Sequence, residues 1–151
     1  MIDFGLVSII MPTYNCGRFI SESIRSVLVQ TYKHWELIIV DDCSTDNTAA
    51  VVSSFADERI QFYHNEHNSG AAVTRNRALR EARGHWVAFL DSDDLWLPEK
   101  LEKQLTFMQQ NNYAFSYHEY EEIEEKGKAL GVYVSGKKHV HKWDMYSCCW
   151  P

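Results

Sequence analysis

The hydrophobic positions of the chain change period several times. Val7-Ser8-Ile9-Ile10-Met11 is a short, β-branched apolar run closed by Pro12, the pattern of a strand buried on both faces. Over residues 19–30 the spacing lengthens, with Ile20, Ile24, Val27 and Leu28 recurring at three and four residues, which predicts an amphipathic helix. Leu37-Ile38-Ile39-Val40 predicts a second strand. Asp46 and Asn47 are N-cap types ahead of a second helix carrying Val51, Val52 and Phe55 and ending before Asp57. Residues 60–63 read as a third strand, and after a polar loop over 64–70 a third helix runs to Ala82, closed by Gly84. Residues 86–90 form a fourth strand. Strand and helix alternate over about 90 residues, so the fold class is α/β, built of right-handed βαβ units with a mostly parallel sheet covered by helices on both faces.

Pro98 suits the first turn of a fourth helix whose stripe is Leu101, Leu105 and Met108, ending near Asn111 and Asn112. Beyond it the pattern loosens. Strands are expected over residues 114–120 and 129–134, around a charged segment over 121–128 in which Gly127 supplies a turn. Residue 112 marks a change of subregion, separating residues 5–112 from 113–151.

Composition narrows the function classes. With 151 residues, 45% of them hydrophobic, the chain can bury a core without disulfide or metal staples. Fifteen Lys and Arg against 21 Asp and Glu give a formal charge of −6, and the basic residues are dispersed, which argues against a nucleic-acid groove. Cys16, Cys43, Cys148 and Cys149 have no framework spacing, and the first residues lack a basic and apolar leader pattern. Free thiols in the cytoplasm are expected. No apolar run approaches the roughly 18 residues of a membrane span, which leaves peripheral association with the inner face of the membrane open.

Ligands of open parallel sheets bind at the carboxyl ends of the strands. Asp41-Asp42 and Asp91-Ser92-Asp93-Asp94 fall there, after the second and fourth predicted strands. Any single loop aspartate is ordinarily a solvated or capping group. Five of them at two strand ends taken as adjacent repel one another, and a divalent cation makes such crowding tolerable. Hard oxygen donors without Cys or His favour Mg²⁺ or Mn²⁺, which commonly bridge carboxylates to substrate phosphates, and this points to a nucleotide diphosphate. In the third helix, Ala71, Arg75, Ala78, Leu79 and Ala82 share a stripe, which makes Arg75 the single charge on an apolar face and a candidate partner for strand-end carboxylates or a phosphate. A snorkelling side chain is the plain alternative for Arg75. Arg77 and Arg80 read as ordinary solvent-facing charges. The loop Pro12-Thr13-Tyr14-Asn15 holds no G-x-G-x-x-G fingerprint but offers the Tyr14 ring to stack on a base.

Four stretches occur together in order: residues 7–15, VSIIMPTYN; 36–46, ELIIVDDCSTD; 68–76, NSGAAVTRN; and 86–94, WVAFLDSDD. Jointly they resemble the inverting family 2 glycosyltransferases of the GT-A fold, over roughly residues 5–110. The resemblance implies a nucleotide-sugar donor, most often UDP-linked, and a saccharide or lipid-linked acceptor. By it, residues 5–112 form the donor region, with Pro12 and Tyr14 framing the uracil, Thr13 and Ser92 among the donor-binding residues, Asp42 accepting from the base imide, and Arg75 approaching the base or diphosphate. Asp91-Ser92-Asp93 matches the D-x-D signature, with Asp93 and Asp91 toward Mn²⁺ or Mg²⁺. The metal would stabilise charge on the leaving UDP while the acceptor hydroxyl attacks from the opposite face. The general base of such an attack is expected beyond Pro151, and residues 113–151 read as the start of an incomplete acceptor-side region. Donor sugar, acceptor and oligomeric state are not readable from these motifs.

Other readings compete. A phosphoacceptor receiver domain would use Asp41-Asp42 with Asp91 and either Lys137 or Lys138, although a strand and helix too many precede Asp41. A haloacid dehalogenase-type phosphatase would make Asp91 its nucleophile, but that motif opens its fold. A non-catalytic sugar-nucleotide binding module would keep the same donor residues. His139, His141, Cys148 and Cys149 fit none of the usual zinc spacings. The acidic run over residues 119–125 reads as a solvated face.

Overall fold

The computed structural model describes residues 3–124 and 129–134. By internal contacts the chain forms two compact units, Met1–Phe107 and Met108–Pro151. In the first, β1 (Val7–Thr13), β2 (Trp35–Asp41), β3 (Ile60–His64) and β4 (Trp86–Phe89) form one sheet in the order β3-β2-β1-β4, with every neighbouring pair parallel. The helices α1 (Ile20–Leu28), α2 (Thr48–Ser53), α3 (Ala71–Glu81) and α4 (Lys100–Asn111) follow β1 to β4 in turn.

Every residue of β1 and β2 is buried. The pleat explains why both strands read as continuous apolar runs. Ile9, Met11, Leu37 and Ile39 point to one face, where they pack with Ile20, Ile24 and Val27 of α1, Val52 of α2, and Leu101 and Leu105 of α4. Ile10, Ile38 and Val40 point to the other and meet Ala78 of α3. Helices therefore cover both faces. Each fully buried Ile, Leu or Val contributes about 1.5–3 kcal/mol relative to exposure, so the two central strands and α1 supply most of the core.

Pro12 does not end β1, which runs on through Thr13. The carbonyl of Ile10 faces β4 and accepts from the Leu90 amide, so two-residue alternation turns Pro12 the same way. Pairing with β4 stops at Ile10 opposite Phe89. The missing N–H of Pro12 thus falls where no ladder partner exists.

At the amino-terminal ends of the strands a carboxylate is buried on purpose. Glu36, 3% exposed, accepts from Ser8 Oγ (2.6 Å), Gln61 Nε2 (2.9 Å), and the Arg83 amide (2.8 Å), Nε (2.9 Å) and Nη2 (2.6 Å). Gly84 N–H donates to the same Ser8 hydroxyl at 2.7 Å.

In the second unit β5 (Tyr120–Ile123) pairs antiparallel with β6 (Ala129–Val134), Tyr120 opposite Val134 and Ile123 opposite Ala129. The strand expected over residues 114–120 therefore lies later: β5 begins at Tyr120, and residues 113–119 are outside regular structure. Alternating aromatics mark strand propensity, but register is set by the partner strand. The candidate zinc residues His139, His141, Cys148 and Cys149, and Lys137 and Lys138, lie outside the described residues.

Candidate functional site

The carboxyl ends of the parallel strands carry the polar residues. After β1, Asn15 takes a left-handed conformation (φ 48°), which Asn tolerates better than most residues. Its amide donates to Ser44 Oγ (2.8 Å), and its Oδ1 accepts from the Thr45 amide (2.8 Å), tying the β1–α1 loop to the β2–α2 loop. Asp46 strengthens the same junction by accepting from the Gly17 and Thr48 amides, both at 2.9 Å. Within this frame Pro12 and Thr13 are buried while the Tyr14 ring stands 51% exposed. Among the described residues the buried Thr13 hydroxyl oxygen has no hydrogen-bond partner.

Asp41 and Asp42, at the end of β2, are both buried. Asp41 accepts from the Ser44 amide at 3.0 Å and from the Ser44 hydroxyl, and lies 3.3 Å from His64 Nδ1. Asp42 Oδ1 accepts from Asn65 Nδ2 (2.7 Å) and the Ser69 amide (2.9 Å), and Oδ2 accepts from the Gly70 amide (2.7 Å). Burial opposes the charge of Asp42, but hydrogen bonds from Asn65, Ser69 and Gly70 outweigh it and hold the carboxyl below its ordinary range. Gly70, with φ 84°, is the turn that aims its amide at Asp42, a conformation that glycine adopts without strain.

These bonds correct the crowding argument. Since β1 lies between β2 and β4, the two acidic strand ends are not neighbours in the sheet. Among the described residues no three His, Cys, Asp or Glu side chains converge as a metal cage. Asp41 and Asp42 are satisfied by loop donors instead, so the acidic side chains left for a cation are those after β4.

Arg75 also sits differently from its expected stripe. The buried positions of α3 are Thr74 and Ala78, while Ala71 and Leu79 are exposed. Arg75 is one step round from that face and half-exposed, and it meets Asp91 at 2.5 Å. An ion pair this open contributes about 0–1 kcal/mol to stability, which leaves the guanidinium available to a ligand. Arg75, Phe89, Asp91 and Asp94 line an open cleft of about 380 Å³. Ser92 is buried, accepting at its carbonyl from Ser23 Oγ (2.9 Å), and Asp93 is exposed. Arg77, expected to be a plain surface charge, instead donates to the His64 carbonyl and, at 2.9 Å, to Asn65 Oδ1. Sequence reading missed Asn65 and Arg77 because their partners come from another loop; the polar loop before α3 was the only local signal.

Asp91 and Asp93 are hard oxygen donors at a solvent-open edge. They fit a Mg²⁺ or Mn²⁺ ion of the kind that takes one or two carboxylates and completes its shell with phosphates and water.

By fold and site this is an open α/β domain with an acidic, arginine-bearing cleft at the carboxyl ends of its parallel strands. Its sequence matches the family described as Glycosyl transferase family 2 over residues 8–141, and the chain belongs to that family. It is 47% identical over 147 residues to the UDP-Glc:alpha-D-GlcNAc-diphosphoundecaprenol beta-1,3-glucosyltransferase WfgD of Escherichia coli, covering 97% of this chain and 58% of WfgD. The fold matches S. aureus TarS 1–349, solved with UDP, at a TM-score of 0.67 and 35% identity, covering 70% of this chain and 32% of that one. The mannosyltransferase PcManGT of Pyrobaculum calidifontis, solved with GDP-Man and Mn²⁺, matches at a TM-score of 0.65 and 30% identity, with 69% and 32% covered. The first unit therefore has the GT-A fold. The chain spans little more than half of WfgD's length. Among the described residues no helix is long and apolar enough to cross a membrane.

Proposed function

We propose that residues 5–112 form the donor half of a glycosyltransferase that moves a sugar, with inversion, from a UDP-sugar to a saccharide or lipid-linked acceptor. The observation that carries this reading is the arrangement at the strand ends. A carboxylate that accepts from three loop donors, Asp42, stands after β2, and the half-exposed Arg75–Asp91 pair opens on a cleft after β4. Support also comes from WfgD, whose name specifies a UDP-glucose donor and an undecaprenol-linked acceptor, and from TarS, solved with UDP.

In this reading Tyr14 stacks on the base between Pro12 and Thr13, and Asp42 accepts from the imide N–H. Arg75 leans from Asp91 toward the diphosphate, and Ser92 shapes the turn that presents Asp91 and Asp93. A divalent ion held by Asp93 and Asp91 neutralises charge on the leaving nucleotide. With a lipid-linked acceptor of the kind WfgD's name specifies, the protein works from the cytoplasm, attached peripherally at the inner face of the membrane. No general base is assigned among the described residues.

The test is calorimetric titration with UDP, with and without Mn²⁺, against GDP and ADP. Metal-dependent, uracil-selective binding is the expected result. Absence of binding to every nucleotide would overturn the reading.

A further inference from the structure

The loop joining β3 to α3 carries a chain of side-chain hydrogen bonds that ends on Asp42. Arg77, from the second turn of α3, donates to Asn65 Oδ1 at 2.9 Å and to the His64 carbonyl. That fixes which way the Asn65 amide faces: its Nδ2 then donates to Asp42 Oδ1 at 2.7 Å and to Thr74 Oγ1 at 3.1 Å. The Thr74 hydroxyl donates to the Gly70 carbonyl at 2.9 Å, so its oxygen lone pairs are left to accept from Asn65. The Asn65 backbone N–H donates to the Asp41 carbonyl at 2.8 Å, which holds the residue against the end of β2. Both Asn65 Nδ2 protons are thereby committed, and the opposite amide orientation would aim an NH₂ at Arg77.

The consequence falls on Asp42. An ionised carboxylate offers about four lone-pair sites and no donor. Two on Oδ1 are filled by Asn65 and Ser69, and one on Oδ2 is filled by Gly70. One acceptor direction remains, on Oδ2. A group that can only accept rewards a base with N–H at that edge and leaves a base with a bare ring nitrogen there facing a lone pair. Uracil carries N–H at N3 and cytosine does not.

We propose that Asn65, oriented by Arg77 and Thr74, is a positioning residue that sets nucleobase selectivity by filling one lone-pair site of Asp42 and leaving that carboxylate a single acceptor direction. The proposal rests on the donor-site reading above. Asn65 touches no nucleotide in this scheme; it acts through Asp42.

UDP and CDP are the probes, since they differ only at the pyrimidine edge, and both are titrated into the full chain with Mn²⁺ present. For the unaltered protein we expect UDP to be preferred over CDP by about tenfold or more, the fold-change that one hydrogen bond to a charged group carries. Asn65→Ala should cut that preference to about threefold or less, with the helical and sheet content by circular dichroism unchanged. Arg77→Ala should move it the same way by a smaller factor, and Arg77→Lys, which restores one donor, should recover part of the preference. A structural role alone would weaken UDP and CDP in the same proportion. A UDP to CDP ratio that survives Asn65→Ala therefore overturns the positioning role while leaving the donor site standing. Failure of the unaltered chain to bind UDP overturns the donor-site reading and this proposal with it.

Discussion

Replacing Glu36 by Gln isolates the cost of the buried carboxylate at the base of the sheet. The two side chains have the same shape, so no cavity opens; only the chemistry of one terminal atom changes. In the native protein Oε1 accepts from Ser8 Oγ and the Arg83 amide, and Oε2 from Gln61 and two guanidinium nitrogens. Five donors converge on a group that only accepts. Glutamine puts an NH₂ at one of those positions, so donor faces donor whichever way the amide turns. Arg83 is 69% exposed and finds water, so no stabilisation is credited to it. Ser8 is fully buried, and the Gly84 amide already points at its oxygen. Its hydroxyl proton left unmatched costs about 1–3 kcal/mol, and misplaced donors at the Gln61 side add about 1 kcal/mol. The expected loss is therefore about 2–4 kcal/mol at pH 7. At about 2–4 °C per kcal/mol for a chain of this size, the thermal midpoint should fall by roughly 10 °C. Burial opposes Glu36 ionisation, but the bonds from Ser8, Arg83 and Gln61 outweigh it and hold its folded pKa below the ordinary value of 4.5. A depressed pKa gives stability that is present above the unfolded value and is lost as pH falls through the folded one. The gap between native and variant should accordingly be full at pH 7, start to narrow only below pH 4.5 and close as pH falls on through the lower folded pKa, read by urea denaturation along a pH series. A shift under about 2 °C at pH 7, or a gap that persists in acid, would refute the assignment.

Three further outcomes are expected. A Cβ on Gly84 would stand 2.5 Å from Ser8 N and 2.8 Å from the Leu6 carbonyl, both backbone atoms, so Gly84→Ala should cost about 1–3 kcal/mol in urea unfolding; a stability unchanged within error would show that the strand ends can part. Asp93 is exposed, so Asp93→Asn should leave the thermal midpoint in place while removing the Mn²⁺ dependence of UDP binding in calorimetry; intact metal dependence would take the ion away from Asp93. Tyr14→Ala should weaken UDP and uridine by the same factor, equivalent to about 1–3 kcal/mol of base stacking, whereas a loss confined to UDP would place the ring against the phosphates.

The order of the elements of the first unit is legible in the sequence. Ile20, Ile24 and Val27 at helical spacing, and the unbroken apolar runs of β1 and β2, encode period and burial locally, and both survive in the structure. The four motif stretches likewise pointed to the family, because each is contiguous and covers a strand with the loop that follows it, or a helix start. Tertiary structure decided everything that depends on a partner distant in the chain. Pro12 lies inside β1 because β4 is too short to need its N–H, a fact that resides in residues 86–89. Asp42 is bound by a loop more than 20 residues later, and Arg77 is a clamp because that same loop folds back onto it. Glu36 looks like a polar start to a strand until Ser8, Gln61 and Arg83 close round it. Propensity and period act over a few residues, whereas a buried charge is tolerable only where several separate segments bring donors to it, and that convergence exists only in the folded chain.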